Sequence, residues 1–149
     1  MQPWSTWFEI PATDLARAKK FYDAIFQIDT EILDLGDLKM GIFPHGEVGA
    51  ALCQHESYRP SETHGPLIYL NGNPDLQAVL DRVGPAGGRV VRAKTQISPE
   101  YGYMAVFIDP EGNRLALHSN QYGAGHVQET IQKGEMICTF ALHVTAYHF

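Results

Sequence analysis

Most of the signals that assign a chain to a membrane, a nucleic acid or a disulfide scaffold are missing from these 149 residues. No stretch approaches the roughly 20 consecutive apolar residues that a membrane-spanning helix requires, so no membrane partner is expected. Basic residues are few, 11 Lys and Arg against 17 Asp and Glu, and the formal charge is -6. The longest basic run is Lys19-Lys20, too little for the positive face that a phosphate backbone demands, and no nucleic-acid partner is expected. There are only 2 cysteines, Cys53 and Cys138, which read as free thiols rather than a disulfide framework. The opening Met1-Gln2-Pro3-Trp4 has neither a basic segment nor an apolar run, so no signal peptide is read and the cytoplasm is the expected compartment. No G-x-S-x-G elbow, His-x3-His pair or phosphate-cradling glycine loop is present. Gly84 to Gly88 reads as a helix stop, because no strand leads into it and no helix follows.

What remains is an ordinary globular composition, 44% hydrophobic and 19% charged, with a clear succession of short elements. Trp4 to Ile10 is aromatic-rich and β-prone. Thr13 then offers a helix N-cap with Asp14 in the first turn, and Leu15, Ala18, Phe21, Tyr22, Ile25 and Phe26 recur at helical spacing. Ile28 to Leu35, Leu38 to Phe43 and Val48 to Cys53 read as three strands broken at Gly36-Asp37 and at Pro44-His45-Gly46. A polar linker, Gln54 to Gly65, separates this unit from a second with the same order. Pro66 to Asn71 is its first strand, Pro74-Asp75 opens a helix with the stripe Leu76, Val79, Leu80 and Val83, and Gly84-Pro85 ends it. Arg89 to Ala93, Tyr103 to Ile108 and Arg114 to His118 complete the set. Asp109-Pro110-Glu111-Gly112-Asn113 forms the turn before the last strand.

The chain therefore reads as an α+β fold of two β-α-β-β-β modules, about residues 4–55 and 66–119. They form a curved mixed sheet with a central cleft and helices on its outer side. Residues 1–120 make the domain. Residues 121–149 form an extension whose β-prone end, Met136 to Phe149, is expected to pack as an extra strand or at a subunit interface. Superposing the halves on Asp14-Leu15 and Asp75-Leu76 places Trp7 on Ile68 and Glu9 on Leu70.

Trp7-Phe8-Glu9-Ile10-Pro11 followed by Asp14-Leu15, Ala18 and Phe21-Tyr22, together with the Asp109–Asn113 turn, Gly49-Ala50-Ala51-Leu52 and Gly87-Gly88, resembles the vicinal oxygen chelate superfamily. That superfamily comprises glyoxalases, bleomycin-resistance proteins, extradiol dioxygenases and epimerases. The likeness covers about Trp4 to Asn120, and the ending Leu117-His118-Ser119 is similar to a glyoxalase-like branch. In metal-dependent members of the superfamily a divalent ion is held by His and Glu side chains from four central strands. The resemblance implies that Trp7, Ala51, Ile68 and Ala116 stand at those places here. None offers a donor to an ion, so no metal and no cofactor are expected.

Two residues further along each strand, on the same face, stand Glu9, Cys53, Leu70 and His118. Glu9 and His118 are the candidate catalytic pair, with Glu9 orienting the imidazole of His118 as a proton acceptor. A self-satisfying buried pair and a displaced metal site are the alternatives. Trp7, Cys53, Leu70, Tyr101 and Tyr103 are the candidate ligand-binding residues. Trp7 is suited to stack on a planar ligand or else to fill core space, and the tyrosines flank a loop over the cleft. Three functional readings follow: a metal-independent small-molecule binder, a lyase- or isomerase-type enzyme using Glu9 and His118, and a non-catalytic interaction module. The resemblance also implies a homodimer.

Overall fold

A short extended strand runs into an aspartate that caps a helix, and this start occurs twice. Asp14 accepts a hydrogen bond from the Arg17 N–H at 3.0 Å, and Asp75 accepts one from the Gln77 N–H at 3.0 Å. The sequence places the first cap at Thr13. In the structure the Thr13 N–H and hydroxyl instead donate to the Glu111 carboxylate, which leaves Asp14 to cap its own helix. The protein is described by a computed structural model over residues 1–120. The expectations made for 121–149, including the thiol of Cys138, lie outside the described residues.

The first half comprises β1 (Trp7–Pro11), α1 (Leu15–Phe26), β2 (Glu31–Asp34), β3 (Lys39–Ile42) and β4 (Gly49–Gln54). The second comprises β5 (Tyr69–Asn71), α2 (Leu76–Val83), β6 (Arg89–Ser98), β7 (Gly102–Ile108) and β8 (Arg114–Ser119). Each half forms a four-stranded mixed sheet, in the orders β1-β4-β3-β2 and β5-β8-β7-β6. In both, the first strand lies parallel to the last while the other pairs are antiparallel. The two-module α+β order expected from sequence is the order observed. β6 runs on to Ser98, beyond the expected Ala93, through register shifts against β7 that let it twist along the sheet edge.

Strand alternation gives each sheet two faces. One face of each joins a single apolar core with the helices: Ile10 and Leu52 from the first sheet, Leu70, Phe107 and Leu117 from the second, and Phe21, Leu76 and Val83 from α1 and α2. The helices pack on one another, and Phe21 reaches across to Phe107 with ring centroids 6.0 Å apart. Gly88 makes this approach possible, because a Cβ there would lie 2.8 Å from the Phe21 ring. The opposite, open faces form two separate small clusters, one around Met40, Ala51 and Cys53 and one around Met104, Val106 and Ala116.

The turn at Asp109–Asn113 joins the halves. Buried Glu111 accepts from the Thr13 and Asp14 N–H groups at 2.8 and 2.7 Å, and from Arg17 Nε at 2.5 Å. It thus lies at the positive end of α1. Buried Tyr22 donates its hydroxyl to Asp109 at 2.6 Å, and Asn113 Nδ2 donates to the Pro11 carbonyl at 2.6 Å. Burial first, then the neighbouring Asp109 charge, drives the Tyr22 phenol far above its ordinary range.

Candidate functional site

The strand registers locate the open-face residues, and they shift one comparison drawn from the sequence. Ala12 donates its N–H to the Cys53 carbonyl, and Gly72 donates to the His118 carbonyl. These bonds make Ala12 equivalent to Gly72 and Cys53 equivalent to His118. The helix caps Asp14 and Asp75 are also equivalent, so the segment from Gly72 to Asp75 holds one residue more than that from Ala12 to Asp14. A side-chain period of two turns that extra residue into an exchange of faces. Tyr69, not Leu70, is the counterpart of Glu9, and Leu67, not Ile68, is the counterpart of Trp7. Leu70 accordingly sits in the helix-facing core, with Ile68 packed against it, whereas Leu67 packs on the open-face cluster of the second sheet.

On the first sheet the structure draws a polar group together. Trp7 Nε1 donates to Glu9 Oε1 at 3.2 Å, and the Tyr58 hydroxyl donates to Glu9 Oε2. Tyr58 comes from the linker, outside the strands from which the other members derive. Cys53 lies beside both: burial, and then the Glu9 charge, push its thiol up to about 11. The hydrogen bond to Glu9 is the main cause that holds the Tyr58 phenol above its usual range. Both groups are therefore neutral near pH 7. Trp7 is 38% exposed, and its six-membered ring lies against β4 at Gly49, where a Cβ would stand 2.4 Å from the ring. His45 meets the indole edge-on at 5.6 Å between centroids. Beside this group, Thr13, Lys39, Gln54, Tyr58 and Arg59 line an open groove between the end of β4 and the linker.

The second sheet is arranged otherwise. His118 shares the open face with Ala116, and its Nε2 lies 2.6 Å from the Tyr101 carbonyl. A carbonyl only accepts, so Nε2 carries the hydrogen and Nδ1 keeps the lone pair in the neutral ring. Tyr101 is 67% exposed at the β6–β7 turn. Tyr103 packs on the helix side, where Lys94 lies 4.8 Å above its ring. No hydrogen bond or ion pair joins Glu9 to His118, and each belongs to a different sheet. The structure thus gathers Glu9, Trp7 and Cys53, places His118 with Tyr101 elsewhere, and assigns Leu70 and Tyr103 to the core side.

Tyr58 is the member that the sequence reading missed. It lies in a segment read as a polar linker, and nothing in its spacing ties it to Glu9.

The four places that the resemblance assigns to metal ligands hold Trp7, Ala51, Leu67 and Ala116, with Leu67 in place of Ile68 as the counterpart of Trp7. Their side chains carry no imidazole, carboxylate or thiolate, so the donor chemistry does not fit a divalent ion. Among the described residues no three His, Cys, Asp or Glu side chains are grouped to hold one, and no helix is long and apolar enough to cross a membrane.

Comparison with known proteins agrees with this architecture. The family model described as the Glyoxalase/Bleomycin resistance protein/Dioxygenase superfamily matches residues 4–117. CFP32 of Mycobacterium tuberculosis, which bears a glyoxylase name, is 31% identical over 131 residues, covering 83% of this chain and 49% of its own. The chain thus spans about half the length of this curated relative. A glyoxalase-related enzyme from Fulvimarina pelagi superposes with a TM-score of 0.61 at 15% identity, covering 80% of this chain and 89% of that one. Glyoxalase I from Zea mays superposes at 0.59 with 17% identity, covering 77% of this chain and 45% of that one. At such identities the structural likeness concerns the fold.

Proposed function

The chain belongs to the glyoxalase/bleomycin resistance protein/dioxygenase superfamily, and from that premise we propose that it is a small-molecule-binding protein that holds its ligand without the superfamily's usual divalent metal. One observation carries this reading: the open face of the first sheet presents Glu9, Trp7 and Tyr58 as a hydrogen-bonded polar group with aromatic walls, over the buried Cys53 thiol. A few convergent polar groups on an otherwise apolar surface are the usual form of a ligand site. The surrounding side chains, Met40, Ala51, Leu38 and Ile42, are apolar.

The open faces of one chain form separate clusters on either side of a shared core. A cleft bounded by both sheets therefore requires a second copy, which would set the His118 face of one chain against the Glu9 face of the other. A homodimer is part of this proposal. It is also the arrangement in which His118, with its Nδ1 lone pair, would reach a ligand held by Glu9, as the enzymatic reading demands.

A thermal-shift series against planar drugs and 2-oxoaldehyde adducts tests the proposal, with metal analysis of the purified protein alongside. At a ligand concentration of 100 Kd the stabilisation is expected to reach about 2.7 kcal/mol. It should be lost in Trp7→Ala and Glu9→Gln. Stoichiometric zinc, nickel, manganese or iron in the protein as purified would overturn the metal-independent reading.

A further inference from the structure

Glu9 is an anion whose partners bring no positive charge. Its oxygens accept from an indole N–H and a phenol O–H, both neutral. Every ion pair among the described residues is formed elsewhere, by Arg17, Lys19, Arg89 and Lys94. Alternation along the strands explains the lack of a cation. On β3, Met40 belongs to the open-face cluster, with Ile42 packed against it, and Lys39 points to the other side. On β2, the register sets Glu31 opposite Ile42 and so adds a second carboxylate to the same face. Basic groups around the site are His45, edge-on to Trp7, His55, edge-on to Tyr58, and Lys39 and Arg59 in the groove. None of them pairs with Glu9, whose partners are Trp7 and Tyr58. The Cys53 thiol, raised to about 11, adds no charge of its own near pH 7.

Any ligand that settles on this face takes water from the carboxylate. Removing water from an anion is costly unless the incoming group supplies a proton or a positive charge. Neutral donors already occupy positions on both oxygens, whereas a cation needs no further vacant lone pair to gain Coulomb energy. We infer that the ligand carried by this site is an organic cation, an ammonium or guanidinium attached to an apolar or planar body, with its charge on Glu9 between Trp7 and Tyr58. This inference rests on the small-molecule-binding reading above and specifies the ligand class.

Three probes of one ring size provide the test: benzyltrimethylammonium, benzyl alcohol and phenylmethanesulfonate, each titrated calorimetrically into the full chain. The cation is expected to bind at least tenfold more tightly than the other two. Glu9→Gln should abolish that preference, while Tyr58→Phe, which keeps the charge, should retain it. If Glu9→Gln does not fold, the salt dependence of wild-type binding serves instead, since cation binding should weaken as sodium chloride is raised. Equal or tighter binding of the alcohol or sulfonate, lost in Trp7→Ala, overturns the cation and leaves the binding reading standing. Cation binding indifferent to both Glu9→Gln and Trp7→Ala lies outside this site and overturns both. Absence of binding by all three overturns the cation, and the planar-ligand series then decides the binding reading.

Discussion

The two halves of the molecule share a scaffold and differ in chemistry. On the helix side they correspond closely. Each helix is capped by its own aspartate, Asp14 or Asp75. Each also receives a second cap from the end of its last strand, where Gln54 Oε1 accepts from the Leu15 N–H at 2.7 Å and Ser119 Oγ from the Leu76 N–H at 3.1 Å. On the open side the correspondence ends. Glu9, Cys53 and Trp7 stand where the second half has Tyr69, His118 and Leu67, and in the first half a linker tyrosine holds the carboxylate. Burial of two sheets against two helices constrains one face of each strand, and the other face is free to specialise.

The sharpest way to break this comparison is to cut equivalent core side chains. Leu52 and Leu117 occupy matching positions beside Cys53 and His118, and both are fully buried. Leu52→Ala and Leu117→Ala should each cost about 2–5 kcal/mol in chemical denaturation. A loss confined to one of them would mean that the halves do not share the core equally.

The joint between the halves should show next. Burial pushes the Glu111 carboxyl up, but the Arg17 hydrogen bond, the Asp14 N–H and Thr13 together outweigh it and hold the group below its ordinary range. A lowered carboxyl contributes stability that is present above the ordinary glutamate range and is lost as pH falls through its folded value. Glu111→Gln should therefore cost about 1–3 kcal/mol at pH 7, and the gap from wild type should close as the solution is acidified below about 4.5. A gap independent of pH would assign the joint to shape rather than charge. Asp109 responds in the opposite sense, since burial above all raises it.

The smallest effect concerns the open faces alone. Glu9→Gln should bring the Cys53 titration down from about 11 without restoring its ordinary value, because burial, its larger cause, stays in place. The rate of thiol alkylation against pH, in a Cys138→Ser background, measures this. An unchanged midpoint would mean that Glu9 and Cys53 are not electrostatic neighbours. The second half has no analogous test, since His118 takes the equivalent place.

The fold was legible because helix stripes and turn residues act locally. The apolar positions of α1 and α2, the Asp109–Asn113 turn and the element order all follow from neighbours in sequence. The candidate site is legible only in part. Trp7, Glu9 and Cys53 share a face through the period of two, and the structure gathers them. Matching the helix starts puts Leu70 on the open face, but one extra residue before Asp75 reverses the strand face. Tyr103 was misplaced because only the register of β7 against β8, where Met104 stands opposite His118, tells which of its residues turn outward. Tyr58 reaches Glu9 across 49 positions of sequence, a distance over which local pattern carries no information.

The hydrogen-bonded seat of Glu111 has a mechanical meaning. The first turn of one helix is completed by a carboxylate from the other module, so the halves cannot part without exposing donors on one side and stranding an anion on the other. Relative rotation of the modules is thereby opposed within a single chain. Under the proposed function, adjustment to a ligand then falls to side chains and to the segment that bears Tyr58 rather than to the modules themselves.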